Sequence, residues 1–294
     1  MARKYSMAAI YKFIKFNARI NIRQQDFLSL LYFDIHSFYF WHMNKTILVT
    51  GATSGFGKAI AEKFAGENWN CIITGRRKER LDELATTLST NKQVQILPLA
   101  FDVSQRGEVF AAINSLKNEW RNIDVLVNNA GLAAGRDPFD EALVDDWDTM
   151  IDTNVKGLLY VSKAVVPLMK ENKKGHIINI GSTAGKEVYK DGNVYCAGKF
   201  AVNAISQAQR IDLLPHKIKV TCINPGAAET EFSLVRFKGD EQKAKAVYEG
   251  FEPLRSEDIA DTIYYCATLP EHVCINDLVI TCLAQANSFY TYKG

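Results

Sequence analysis

Tyr195 and Lys199 stand four residues apart, a spacing that sets two side chains on one helix face, one turn from each other. A phenol and an ammonium so placed can do acid/base chemistry. An unperturbed tyrosine, with a pKa of about 10, is a poor base near neutral pH, and a nearby cation favours its phenolate. Lys199 is the expected cation. Ser182 follows the apolar run Ile177-Ile178-Asn179-Ile180-Gly181, so it joins the pair only where the end of a strand lies beside that helix. The same Tyr-x-x-x-Lys spacing occurs on ordinary solvated helices. The rest of the chain must supply the site.

From Lys45 onward, short β-branched runs alternate with longer amphipathic stretches, the pattern of a parallel sheet covered by helices on both faces. Strands are expected near 45–50, 70–74, 94–100, 123–128, 175–181, 217–223 and 277–281, and helices near 55–67, 77–89, 105–119, 143–171, 194–214 and 256–268. The fold class is therefore α/β: one Rossmann-type, doubly wound domain of about seven strands over 43–294.

The first strand runs into Thr50-Gly51-Ala52-Thr53-Ser54-Gly55-Phe56-Gly57 and then into a helix. Glycines at such a turn let the backbone approach a pyrophosphate, whose charge sits at the positive end of the helix. At the end of the second strand, where NAD enzymes of this architecture carry an acid, stand Gly75-Arg76-Arg77. With no carboxylate to repel a 2′-phosphate and two guanidiniums to pair with it, the expected cofactor is NADP. Asp102, after the third strand, is placed to meet the adenine edge. Asn128-Asn129-Ala130-Gly131 closes the fourth strand with small residues that admit a cofactor. Asn154 falls inside the long helix; with Asp152 and Thr153 beside it, all poor helix formers, a local bend is expected there.

Composition excludes several classes. Residues 43–294 hold 29 basic against 31 acidic residues, which argues against a nucleic-acid partner. Six scattered cysteines without Cys-x-x-Cys or Cys/His clustering read as reduced thiols in a cytoplasm, with no zinc site or other metal centre. Residues 1–42 differ from the rest, with eleven aromatics and six Lys or Arg against two Asp. Their apolar run from Phe27 to Trp41 is too short and interrupted to span a bilayer, so no membrane association is expected. They read as an extension outside the domain, attached by an early start assignment.

Thr50-Gly51-x-x-x-Gly55-x-Gly57, Asn128-Asn129-Ala130-Gly131, Asn154, Ser182, Tyr195-x-x-x-Lys199 and Asn224-Pro225-Gly226, in this order, resemble the short-chain dehydrogenase/reductase family. The resemblance covers nearly all of 43–294. It implies a catalytic tetrad of Asn154, Ser182, Tyr195 and Lys199, with Ser182 rather than Thr183 chosen because it stands thirteen before Tyr195. It also implies cofactor contacts at Gly51, Thr53, Ser54, Gly55, Phe56, Gly57, Arg76, Arg77, Asp102, Val103, Asn129, Ala130, Gly131, Tyr195, Lys199, Pro225, Gly226 and Thr230. The stretches Gly75 to Leu81, Asn179 to Gly185 and above all Thr230 to Asp240 look like the NADP-dependent 3-hydroxy acid dehydrogenases, which act on L-serine, L-allo-threonine and 3-hydroxypropionate and reduce malonic semialdehyde.

The implied chemistry has Tyr195 taking the hydroxyl proton while hydride leaves the same carbon. Ser182 holds the reacting oxygen, Lys199 the nicotinamide ribose, and Asn154 completes a proton path through a water. Arg236 and Lys238, in the segment that folds over the substrate, are the expected partners of its carboxylate. The resemblance also implies a homo-oligomer, a homotetramer or a dimer. Alternatives are a reductase of another carbonyl, such as a 3-oxoacyl thioester or sugar ketone, and a non-catalytic NADP sensor.

Overall fold

The computed structural model describes residues 44–294; the expected extension over 1–42 lies outside the described residues. Seven strands form where aliphatic residues run together: β1 (Thr46–Val49), β2 (Asn70–Gly75), β3 (Ile96–Ala100), β4 (Val125–Asn128), β5 (Gly175–Ile180), β6 (Ile218–Pro225) and β7 (Asp277–Ile280). Every pairing is parallel, in the order β3-β2-β1-β4-β5-β6-β7. The order reverses between β1, with Val49 opposite Ile73 of β2, and β4, with Val127 opposite Val49. Such a switch point opens a crevice at the carboxyl ends of the strands.

Apolarity along the central strands is continuous because both faces are covered. On one face Ile47, Val49, Ile73 and Val127 pack with Phe64 of α1 (Gly55–Gly66), Leu81 of α2 (Lys78–Leu88) and Ile263 of α9 (Ser256–Thr268). On the other, Leu48, Ile72, Leu126 and Val220 pack with Ile113 of α3 (Arg106–Asn114) and Val165 of α5 (Leu158–Glu171). Phe64, fully buried, meets Trp69 edge-to-face with ring centroids 5.0 Å apart. Truncating it to alanine is expected to cost about 3–5 kcal/mol.

Two helices expected as single pieces are divided. The stretch 143–171 contains α4 (Val144–Ile151), a π-helical turn at Asp152–Gly157 and then α5. The stretch 105–119 ends its α-helix at Asn114, with a separate 3₁₀ turn at Asn118–Trp120. The chain continues through α6 (Asn193–Leu213). Between β6 and α9 stand two short helices not expected from the sequence, α7 (Glu231–Arg236) and α8 (Glu241–Ala246). Each starts at a residue that caps it: Thr230 Oγ1 accepts from Phe232 N, and Asp240 Oδ1 from Lys243 N.

Candidate active site

The glycine turn is shaped by what its glycines must clear. Gly51 has φ +67° and would place a Cβ 3.0 Å from Ala130 Cα, while a Cβ on Gly57 would lie 2.2 Å from Gly51 O. Asn129 ties the turn to β4, its Nδ2 donating to Thr50 O at 2.8 Å, and Ala130 N donates to Thr50 Oγ1 at 2.9 Å. The carboxyl end of β1 and that of β4 are thereby joined beside the crevice.

That crevice is a cleft of about 470 Å³. Most of the expected residues line it: Gly51, Thr53, Ser54 and Phe56 of the turn; Arg76 and Arg77; Asp102 and Val103; Asn129, Ala130 and Gly131; Ser182, Tyr195 and Lys199; Pro225, Gly226 and Thr230; and Arg236. Gly55, Gly57, Asn154 and Lys238 are not among the lining residues. The two glycines serve the turn's backbone.

Lys238 lies apart from the cleft in this structure. It takes a left-handed backbone (φ +54°) after α7 and its ammonium pairs with Asp146 at 2.8 Å. Its partner in this structure is thus a carboxylate of the protein, outside the residues that line the cleft. Asn154 is buried in the π-helical turn, where Oδ1 accepts from Leu132 N and Nδ2 donates to Leu132 O, both at 2.8 Å. The expected bend is there, but both ends of the amide hold backbone.

Lys199 and Tyr195 share one face of α6, with Nζ 5.9 Å from the Tyr195 ring centroid. Ser182 caps the 3₁₀ turn Thr183–Gly185, its Oγ accepting from Ala184 N at 3.1 Å. Burial pushes the Tyr195 phenol well above its usual range, helped by neighbouring Tyr189, and the Ser182 hydroxyl and the Arg236 charge act against that rise. Lys199 was expected to favour the phenolate. Burial pulls its own pKa down to about 8, and its Nζ donates to Ile180 O at 2.9 Å. At about 8 Lys199 stays mostly protonated near pH 7, so two cations stand near the phenol, Lys199 Nζ at 5.9 Å and the Arg236 guanidinium carbon at 5.6 Å from the ring centroid.

Arg236 reaches the site from the last turn of α7. Its Nη1 donates to Tyr189 Oη at 3.0 Å and its Nε to Gly135 O at 3.3 Å, while Gly135 N donates back to Arg236 O at 3.0 Å. Arg136, next to Gly135, lies 5.8 Å from the Tyr189 ring centroid and also lines the cleft. Among the described residues no carboxylate forms an ion pair with either guanidinium. Sequence reasoning missed Arg136 and Tyr189, which sit in loops without periodicity or motif. It also missed Gln285 and Ser288, brought in from the C-terminal tail; Gln285 Oε1 accepts from Ala227 N at 2.7 Å.

At the other end, Arg77 donates through Nη2 to Thr53 Oγ1 at 2.7 Å and Ser54 Oγ at 3.1 Å. Arg76 pairs weakly with Asp102 at 3.7 Å. The expectation that no carboxylate stands near these arginines is corrected by the fold: Glu231 of α7 reaches Arg77 at 3.4 Å and Arg80 at 3.1 Å.

A family model described as short chain dehydrogenase matches residues 45–240. The chain belongs to the short-chain dehydrogenase family. Among curated short-chain dehydrogenase relatives, NADP-dependent 3-hydroxy acid dehydrogenase YdfG of Salmonella typhi is 49% identical over 241 residues, which is 82% of this chain and 96% of that protein. Sulfoacetaldehyde reductase 2 of Chromohalobacter salexigens is 44% identical over 249 residues, 84% of this chain and 98% of its own length. Among solved structures, the closed form of serine dehydrogenase complexed with NADP+ superposes with a TM-score of 0.79 at 47% identity, covering 85% of this chain and 99% of that one. A short-chain dehydrogenase is an oxidoreductase, and the doubly wound sheet described above is shared with these neighbours.

Proposed function

We propose that the chain is an NADP-dependent oxidoreductase that interconverts a small 3-hydroxy acid and its carbonyl form. The observation that carries the reading is one cleft holding both a buried acid/base tyrosine and two guanidiniums, Arg236 and Arg136, that pair with no carboxylate among the described residues. A neutral ketone needs no such cations; a substrate carboxylate does. The names of the relatives agree, and the sulfonate implied by sulfoacetaldehyde reductase is likewise an anion.

The residues present fit the cofactor. Gly51 and Gly57 keep side chains off the turn, so a pyrophosphate could approach its backbone closely, and Arg77 is steadied by Thr53 and Ser54 where a 2′-phosphate would be read. When bound, NADP supplies or accepts the hydride. Lys199 would hold the nicotinamide ribose hydroxyls with the donors that Ile180 O leaves free. Tyr195 takes the proton of the substrate hydroxyl in oxidation and returns it in reduction. Ser182 orients the reacting oxygen, and Arg236 fixes the carboxylate. Asn154 clamps Leu132, which lines the same cleft, and so acts as a positioning residue.

In this reading 43–294 is the catalytic domain, and the enzyme is cytoplasmic and oligomeric. The thiols of all six cysteines are free, and no described helix is long and apolar enough to cross a membrane. Leu159 of α5 and Phe200 and Ile211 of α6 expose apolar surface, Ile211 at 74%, which a second copy would cover.

An absorbance assay following NADPH tests the reading, with L-serine, 3-hydroxypropionate and malonic semialdehyde beside a 3-oxoacyl thioester and a sugar ketone. Turnover of the anionic substrates, lost when the carboxylate is esterified, is expected. Preferential turnover of the uncharged carbonyls would reject the 3-hydroxy acid assignment.

A further inference from the structure

We infer that Glu231 limits how tightly and how selectively the 2′-phosphate of NADP is held, an inference that rests on the cofactor proposed above. Glu231 is the first residue of α7, and it bridges two arginines at the start of α2. Its Oε2 lies 3.4 Å from Arg77 Nη1, and its Oε1 and Oε2 lie 3.1 and 3.3 Å from Arg80 Nη1. The other N–H groups of Arg77 point at Thr53 Oγ1 and Ser54 Oγ, at 2.7 to 3.2 Å. Arg77, Thr53, Ser54 and Glu231 all line the cleft. A carboxylate from a distant segment thus occupies the arginine that a 2′-phosphate would use.

The electrostatic consequence follows from charge alone. A carboxylate beside Arg77 and Arg80 cancels part of the field that attracts a phosphate dianion, and a phosphate seated on Arg77 must face that carboxylate or displace it. NAD carries a ribose hydroxyl at this point and meets neither penalty. Glu231 therefore acts on the difference between the two cofactors. It also acts on the substrate end, because the helix that Glu231 opens is the one Arg236 closes, five residues on. Displacing Glu231 releases the anchored end of that helix while Gly135 and Tyr189 hold the other. Cofactor phosphate and substrate carboxylate are then read from opposite ends of one short element.

The test is calorimetric titration of the full chain and of its Glu231→Gln variant with NADP+ and with NAD+, at low and at high salt. Glu231→Gln is expected to tighten NADP+ by about three- to fivefold, the upper part of the range for exposed ion pairs, to leave NAD+ unchanged within about 1.5-fold, and to lose much of the gain at high salt. Unchanged or weaker NADP+ binding in the variant overturns the inference, as does equal tightening of both cofactors, which would mean general loosening of α7. A wild-type chain that does not prefer NADP+ to NAD+ is a separate outcome. It removes the cofactor proposal itself, and this inference with it.

Discussion

The guanidinium carbon of Arg236 lies 5.6 Å from the centroid of the Tyr195 ring, and its charge opposes the rise in the Tyr195 pKa that burial imposes. One arginine thereby stands to act on both the base and the carboxylate. Replacing it with methionine is expected to raise the Michaelis constant for 3-hydroxy acids about tenfold or more, the scale of a lost charge-assisted hydrogen bond. The same change takes away a cation that favours phenolate. Since oxidation needs the phenolate, its rate rises with pH through the Tyr195 pKa, and that limb should move to higher pH in the variant. Lys238→Ala should shift neither quantity, because Lys238 faces Asp146. Steady-state rates from pH 7 to the most alkaline pH at which both proteins stay folded check all three statements; an unshifted limb in Arg236→Met would remove Arg236 from the tuning of Tyr195.

Tyr195→Phe keeps the ring that packs 5.6 Å from Phe232 and removes only the hydroxyl. Turnover is expected to fall by about 10²–10⁴-fold, the share of a positioned acid/base group, while NADP+ binding measured by calorimetry stays near that of the wild type. Near-normal turnover would take the proton-transfer role from Tyr195.

Asn154→Ala leaves Leu132 N and Leu132 O without their partners at 2.8 Å at a place where Asn154 itself is 2% exposed. Leu132 is half-buried and lines the cleft, so the loss is that of two ordinary hydrogen bonds at about 0.5–1.5 kcal/mol each, and chemical denaturation should show about 1–3 kcal/mol. The π-helical turn at Asp152–Gly157, one of the forms often found at functional sites, exists in part to aim this amide. A variant as stable as the wild type would mean the clamp is idle.

The strands and the glycine turn were legible because their signals are local: a β-branched run, a glycine where φ must be positive, a pair four apart on one face. Register and strand order are not local, and here the resemblance to a known family supplied what periodicity does not. The failures share a cause. Lys238 looked like Arg236 in sequence, and only the turn after α7 sends one to Asp146 and the other to Tyr189. The arginines at 76 and 77 looked free of carboxylates because Glu231 lies more than 150 residues away along the chain. Burial of Lys199, which lowers its pKa to about 8, is likewise not written in the four-residue spacing. Spacing shows which side chains can meet, but charge balance depends on what the fold brings from elsewhere.

His176, in β5, is buried where no described function uses it. Its Nε2 lies 2.7 Å from Thr221 Oγ1, and that hydroxyl donates to Ile275 O at 2.6 Å. The Thr221 proton being committed, Nε2 must be the donor, which leaves Nδ1 unprotonated and without a hydrogen-bond partner. Burial, with the nearby Lys219 charge, lowers the His176 pKa to about 3 from an ordinary 6.5. The unfolded chain therefore binds a proton that the folded chain refuses between those two values. Stability is full above about pH 6.5 and declines toward pH 3, with a limiting slope of about 1.4 kcal/mol per pH unit. His176→Gln can still donate to Thr221 and cannot titrate. Denaturant melts at pH 5.0, 6.0 and 7.0, above the range where most carboxylates protonate, should show the wild type losing stability relative to the variant as pH falls. Parallel pH profiles for the two proteins would mean that His176 takes up its proton in the folded state as readily as in the unfolded one.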